Sequence, residues 1–412
     1  GPLFFAHFWH HHYPKVAVGL GLGVVAYYVW GLDHALHPVH AFAEYVQFIA
    51  LLFGLFMAAG GIMINVDKEG KPLVNVMLLI IGAVIANVIG TTGASMLLIR
   101  PFIRLNKGRI KPYHVMFFIF MCSNVGGSLT PIGDPPLFLG FLKGVPFVWT
   151  LTHNWAPWAF AITLLAMLFF YIDSKNKDRD ESVVEYSGKI TIKGAKNFLW
   201  IIVIIGAVFI DPNVIYNVVP GDVIPGISDG HGTIFSYIRE LIMISVGCLS
   251  FYFADKEALK ANEFEFEPIK EVAFIFIGIF FTMMPALELV AAFAKSPGGI
   301  EMITTNSLYW LTGALSGVLD NAPTYLNFLT AGISAKGGAI TNSAEVVAFS
   351  EGSGMFDVAG ATSSVVWLTA ISVASVFFGA MTYIGNAPNF MVKSIAEQSG
   401  VHMPSFFGYV VK

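Results

Sequence analysis

Two aspartates sit in sequence too apolar to hold a charge by accident. Asp134 lies in Pro131-Ile-Gly-Asp-Pro-Pro136 and Asp320 in Leu319-Asp-Asn-Ala-Pro323. An ionisable group at bilayer depth is costly and marks an ion or substrate pathway. Burial penalises the charged form of a carboxyl, so one such group can carry either a proton or a small cation. Exchange follows if only one of the two is bound at once. The plainer role for each is a helix cap, because Asp favours that position before a resuming helix. Asp320 is expected to be the residue that exchange can least spare, with Asp134 second. Asn321 adds a carbonyl oxygen for a cation or an amide for a carboxylate.

The neighbourhood of Asp134 occurs twice. Gly127-Ser-Leu-Thr-Pro-Ile-Gly-Asp-Pro-Pro-Leu-Phe138 is echoed by Gly379-Ala-Met-Thr-Tyr-Ile-Gly-Asn-Ala-Pro-Asn-Phe390, with Asn386 at the place of Asp134. Polar, helix-breaking backbone inside a bilayer is tolerated only where it is buried in protein or lines a wet cavity. A pair of such breaks in corresponding halves points to the binding site of a secondary transporter. Thr130 and Thr382 recur in both copies. With Asn124, Asn386 and Asn389, and with Thr91 and Thr92 farther upstream, they offer the hard oxygen ligands that sodium takes. Ser123 and Ser128 are read equally well as partners for backbone freed by Pro and Gly.

These residues need a membrane scaffold, and the composition supplies one. The chain is 56% hydrophobic and 12% charged, with a mean hydropathy of +0.70. Soluble domains carry about 25% charged residues. A net charge of −4 says little by itself, and nothing indicates a nucleic-acid partner. Cys122 and Cys248 both lie in apolar runs and build neither a disulfide framework nor a zinc site. His34, His37 and His40 beside Asp33 have metal-compatible spacing, but Pro38 interrupts them and an interfacial loop explains them. No cofactor is expected beyond the transported ions. No cleavable signal is evident, and the natural protein is expected to extend past both ends.

The expected fold is an all-α polytopic membrane protein. Spanning runs appear at 16–32, 44–66, 147–173, 196–212, 233–254 and 271–296. Two further runs, 73–105 and 304–333, are interrupted at Gly90-Thr-Thr-Gly93 and at Asp320-Asn321. Lys and Arg fall on one side if 73–105 enters and leaves by the same face, as a re-entrant hairpin with its tip at Thr91-Thr92. That side holds Lys68, Lys71, the run from Arg100 to Lys111, and the linker cations Lys175 to Lys196. Segments 33–43 and 212–232, on the other side, hold no Lys or Arg. Two ordinary spanning helices at 73–105 would put the basic run outside. Two inverted-topology repeats follow. Residues 1–173 carry hairpin 73–105 and broken helix 112–146, and 174–195 is a cytoplasmic linker. Residues 196–412 carry hairpin 304–333 and broken helix 363–398.

Taken together, the hairpins, Ser123-Asn124 with Thr-Pro-Ile-Gly-Asp134, Asp320-Asn-Ala-Pro323 and Thr382-Tyr-Ile-Gly-Asn-Ala-Pro-Asn389 resemble the ion transporter superfamily. Within it the chain is similar to NhaD-type sodium/proton antiporters and to a related family of citrate transport proteins. The dicarboxylate branch carries Ser-Asn-Thr at both hairpin tips, which is absent here. The resemblance implies an antiporter of sodium or lithium against protons, working by vertical movement of a hairpin-bearing body. It also implies a homodimer in a prokaryotic inner membrane. A cation-coupled citrate or dicarboxylate transporter is the alternative. A carboxylate substrate needs donors or cations, and only Lys143 and Lys393 lie near the breaks. Glu288 is a secondary candidate, and Arg100 and Arg104 are read as snorkelling at the hairpin exit. A presenilin-type aspartyl protease needs Gly-x-Gly-Asp, whereas position 131 is Pro, and its Pro-Ala-Leu follows both aspartates. Here Pro285-Ala-Leu287 precedes Asp320, so no enzymatic activity is expected.

Overall fold

A computed structural model describes residues 6–66, 68–177, 188–210 and 235–411. The protein is built from helices, and six of those described are long and apolar enough to cross a membrane. Helix α1 (Ala6–Ala26) continues through a π turn (Tyr27–Gly31) and returns as α2 (Leu36–Gly60). The apolar run 44–66 does not stay helical to its end. Gly60 and Gly61 stop it, and Met63–Val66 becomes strand β1. Gly is a poor helix former and readily leaves helical backbone.

Helix α3 (Pro72–Leu105) is one continuous apolar stretch, yet it folds back on itself. Gly90 has φ 77° and ψ 156°, a conformation open to glycine and strained for any other residue. The consequence is visible at the far ends. Asn75 Nδ2 donates to Asn106 Oδ1 at 2.8 Å, and Asn106 Nδ2 returns a bond to Asn75 Oδ1 at 2.9 Å. In a straight helix those residues would lie about 46 Å apart. Arg109 Nη1 also donates to Gly70 O at 2.9 Å, so the chain enters and leaves on one face. The turn falls at Gly90 rather than at Thr91-Thr92, because only glycine tolerates the required φ.

The broken helix follows as α4 (Pro112–Met121), a 3-10 segment (Val125–Leu129) and α5 (Pro135–Lys143). Then come α6 (Trp149–Ser174), β2 (Ile190–Lys193), α7 (Asn197–Val208) and α8 (Phe235–Tyr252). The Lys- and Arg-free segment 212–232 lies outside the described residues. A two-stranded antiparallel ribbon, Met63 opposite Lys193 and Val66 opposite Ile190, was not expected from the sequence. It ties the loop after α2 to the segment before α7, two stretches whose lysines were read as lying on one side. Short α9 (Lys256–Ala261) leads to α10 (Glu267–Lys295), and α11 (Pro297–Met302) to the second hairpin. Its legs α12 (Thr305–Val318) and α13 (Asn321–Ala335) pack on each other across extended Leu319 and Asp320. Helices α14 (Ser343–Glu351), α15 (Ser364–Phe378), α16 (Ala387–Gln398) and α17 (Phe406–Val411) complete the chain. A 3-10 turn at Gly379–Met381 breaks α15 from α16.

Packing divides the helices into two groups. Helices α1, α2, α7, α8 and α10 contact one another, and the hairpins and broken helices form the other group with α6. They meet where α2 lies on α3 and where α10 lies on α13. Phe48 of α2, Phe276 and Phe280 of α10 and Phe138 of α5 fill that seam. Cysteine labels placed at Gly70 and Lys111 are expected to react from the same side of the membrane. Labelling from opposite sides would dismantle the hairpin.

Candidate functional site

The two breaks and the two hairpin tips meet at Asp134. Its backbone is extended (φ −145°, ψ 143°) at the cap position of α5. The next two residues, Pro135 and Pro136, have no N–H, so the carboxylate finds no backbone donor there to cap. It turns instead to three side chains. Asp134 Oδ1 accepts from Thr91 Oγ1 at 2.7 Å and from Asn386 Nδ2 at 2.8 Å. Asp134 Oδ2 accepts from Asn321 Nδ2 at 2.6 Å. Asp134 is 1% exposed and Asn321 and Asn386 are as deeply buried. One residue from each hairpin and one from the opposite break therefore converge on one carboxylate.

The two halves build this approach with the same bond. Thr91 N donates to Gly133 O at 2.8 Å, and Asn321 N donates to Gly385 O at 3.2 Å. The match pairs Thr91 with Asn321, so the position equivalent to Asp320 is Gly90. Glycines make the approach possible. A Cβ on Gly133 would collide with the Gly127 carbonyl, and one on Gly385 with the carbonyls of Gly379 and Ser316. This is why both copies of the repeat keep that glycine pair.

The remaining sequence candidates fall into different places. Asp320 is half-buried and caps α13, accepting from Ala322 N at 3.0 Å. Thr130 and Thr382 give their hydroxyls to backbone: each accepts from the glycine of its own break, Gly133 and Gly385. Thr130 also donates to Asn87 O at 2.6 Å. Asn124 donates to Asn389 Oδ1 at 2.7 Å and accepts from Asn386 Nδ2 at 3.2 Å, while Asn389 Nδ2 ties down the Gly379 and Thr382 carbonyls. These amides form a second layer that aims Asn386. No hydrogen bond among the described residues joins Thr92 to the network. Ser123 meets Ser95 at 2.7 Å. Glu288 lies beside the buried Tyr28 of the π turn that follows α1. Arg100 is paired with Glu263 at 2.9 Å.

Sequence reading passed over the residues that keep the first break unwound. Asn87 Nδ2 reaches Gly126 O at 2.6 Å and its Oδ1 accepts from Leu129 N. From α6, Thr150 donates to Leu129 O, Asn154 to Ser128 O and Trp158 to Gly126 O. Buried carbonyls must find donors; Asn87 and Asn154, polar residues inside apolar runs, were the available signal. Arg239 and Glu240 of α8, a buried pair at 2.7 Å, were missed because their segment reads as an ordinary span.

Charge is the decisive property of the centre. Among the described residues, no Lys, Arg or His lies within ion-pair distance of Asp134 or Asp320. Lys143 is taken by Glu44 at 2.6 Å and Lys393 by Glu397 at 2.8 Å. Asp134 thus has only neutral donors. Beside it, Asn321 Oδ1 is buried without a partner. An open acceptor next to a carboxylate suits a small cation or a carboxyl proton.

No curated protein matches the chain. A family profile described as “Putative citrate transport” matches residues 1–412. With that match over its whole length and a membrane-spanning helical fold, the chain belongs to this family of transporters, in keeping with the ion transporter superfamily.

Proposed function

We propose that the protein is a secondary active transporter that exchanges sodium or lithium for protons at Asp134. The observation that carries this reading is a fully buried carboxylate held by Thr91, Asn321 and Asn386 with no protein cation beside it. A charge left so bare is stable only when neutralised. Either a proton or a monovalent cation does that, and one carboxylate cannot hold both well. Competition for Asp134 is therefore the exchange step. Asn321 Oδ1 is the natural first oxygen to add to a sodium shell. Alternating access would come from the hairpin-bearing body moving against α2 and α10, with the two halves as inverted repeats. The same reading takes the working unit as a homodimer in a prokaryotic inner membrane.

A second reading, cation-coupled transport of citrate or another carboxylate, is favoured by the family description. It would need the cation at Asp134 to bind first, since the amides there are already engaged. One pair of assays separates the two. Everted vesicles with a pH dye are expected to report sodium- or lithium-evoked proton release, and the apparent KM for sodium is expected to rise as pH falls. Citrate is expected to evoke nothing. Saturable citrate uptake in proteoliposomes without cation-evoked proton flux would replace exchange by the second reading.

A further inference from the structure

The base of the first hairpin borders a partly open cavity at the opposite end of the hairpin from Asp134, on the side that carries the basic residues. It measures about 390 Å³, and Glu69, Lys71, Arg109, Asp173, Asn176 and Lys177 line it. Asp173 and Arg109 neutralise each other there at 2.8 Å. That leaves Lys71 and Lys177 against Glu69, with Lys71 only 3.4 Å from Glu69 and largely exposed. Helix α3 begins at the same place with Pro72, and no side chain caps its first turn. The free amides and the positive end of that helix add to the excess positive charge.

Two apolar stripes run away from the cavity. On α3, Leu73, Met77, Ile81, Val84 and Val88 recur at helical spacing and are exposed. On α6, which packs beside α3, Phe160, Leu164, Met167 and Tyr171 do the same. A free anion would use the cavity and ignore the stripes. A molecule with an anionic head and two hydrocarbon chains uses both.

We propose that this cavity is a binding site for the headgroup of an anionic phospholipid, its phosphodiester between Lys71, Lys177 and the first turn of α3. Its acyl chains lie along the α3 and α6 stripes. Basic pockets between spanning helices on the inner face recognise such headgroups through charge, at about 1 kcal/mol per Lys or Arg. The site clamps the point where both hairpin legs, α4 and α6 come together, so the lipid stabilises the hairpin base.

The test uses the full chain purified in neutral detergent. Native mass spectrometry and thermal unfolding are followed on adding phosphatidylglycerol, phosphatidylcholine or inorganic phosphate. Phosphatidylglycerol is expected to bind and raise the unfolding temperature, and the other two are expected to do neither. Lys71→Gln with Lys177→Gln should weaken phosphatidylglycerol binding about 30-fold, and each single change by roughly the square root of that. Lys336→Gln, at the base of the other hairpin, should leave it unchanged. Equal binding of phosphatidylcholine, or undiminished binding by the double variant, would overturn the proposal. A shift produced by inorganic phosphate alone would assign the cavity to a free anion instead.

Discussion

Asp134→Asn is expected to abolish sodium-evoked proton release while the protein still reaches the membrane at normal abundance. The substitution keeps the size and removes the charge that three side chains surround. A hydrogen bond or ligand contact to a charged group contributes about 1.5–3 kcal/mol more than none. Each 1.4 kcal/mol or so is tenfold in affinity, so cation binding falls roughly 10- to 150-fold. Folding survives because a neutral amide is cheaper to bury than a carboxylate. The new NH₂ needs an acceptor, and rotation of the Asn321 amide brings one, since its Oδ1 is otherwise unpaired. Asp320→Asn is expected to be milder, because an amide oxygen still accepts the Ala322 N–H and preserves the cap. Flux measured in everted vesicles, normalised to membrane abundance, compares the two. Normal exchange in Asp134→Asn with none in Asp320→Asn would return the central role to the hairpin tip.

The second large effect is on stability. Asp173 is fully buried and accepts from Arg109 at 2.8 Å, Tyr113 Oη at 2.6 Å and Asn75 Nδ2 at 2.9 Å, with His114 Nε2 at 3.1 Å. These partners come from the start of the first hairpin, the loop after it and the start of the broken helix, while Asp173 ends α6. Asp173→Ala leaves Arg109 largely buried without its counter-ion, a loss of about 3–5 kcal/mol. The variant is expected to unfold far below the wild-type temperature in detergent and to accumulate poorly. Asp173→Asn keeps one acceptor and should lie between the two. A variant Asp173→Ala that melts with the wild type would mean that the hairpin base does not depend on this ion pair.

Much of the fold is legible in the amino-acid sequence. Four of the six apolar runs, 16–32, 44–66, 147–173 and 271–296, fall on described helices long enough to cross a membrane, because the bilayer accepts little else, while 196–212 and 233–254 hold the shorter α7 and α8. The one-sided distribution of Lys and Arg called for residues 73–105 to turn back on themselves, and the Asn75–Asn106 and Arg109–Gly70 bonds join the two ends of that stretch. The ribbon between Met63–Val66 and Ile190–Lys193 was hidden, because its pairing joins segments more than a hundred residues apart and its apolar residues read as helix.

The candidate site divides along the same line. Residue type and repetition picked out Asp134, Asn321, Asn386, Asn124 and Asn389, since polar groups cannot sit in hydrocarbon without partners or purpose. Sequence alone also marked Asp320, but it could not say which aspartate would be enclosed. That was decided by two prolines and a chain reversal. Pro135 and Pro136 deny Asp134 a backbone to cap, while Asp320 has the N–H of Ala322 in reach. The glycine at 90 turns the first hairpin so that Thr91, and not a carboxylate, meets Gly133. One-dimensional spacing fixes which groups stand at each break. Only tertiary packing brings Asn321 and Asn386 onto the Asp134 carboxylate, because those contacts span roughly 190 and 250 residues and no local rule encodes them.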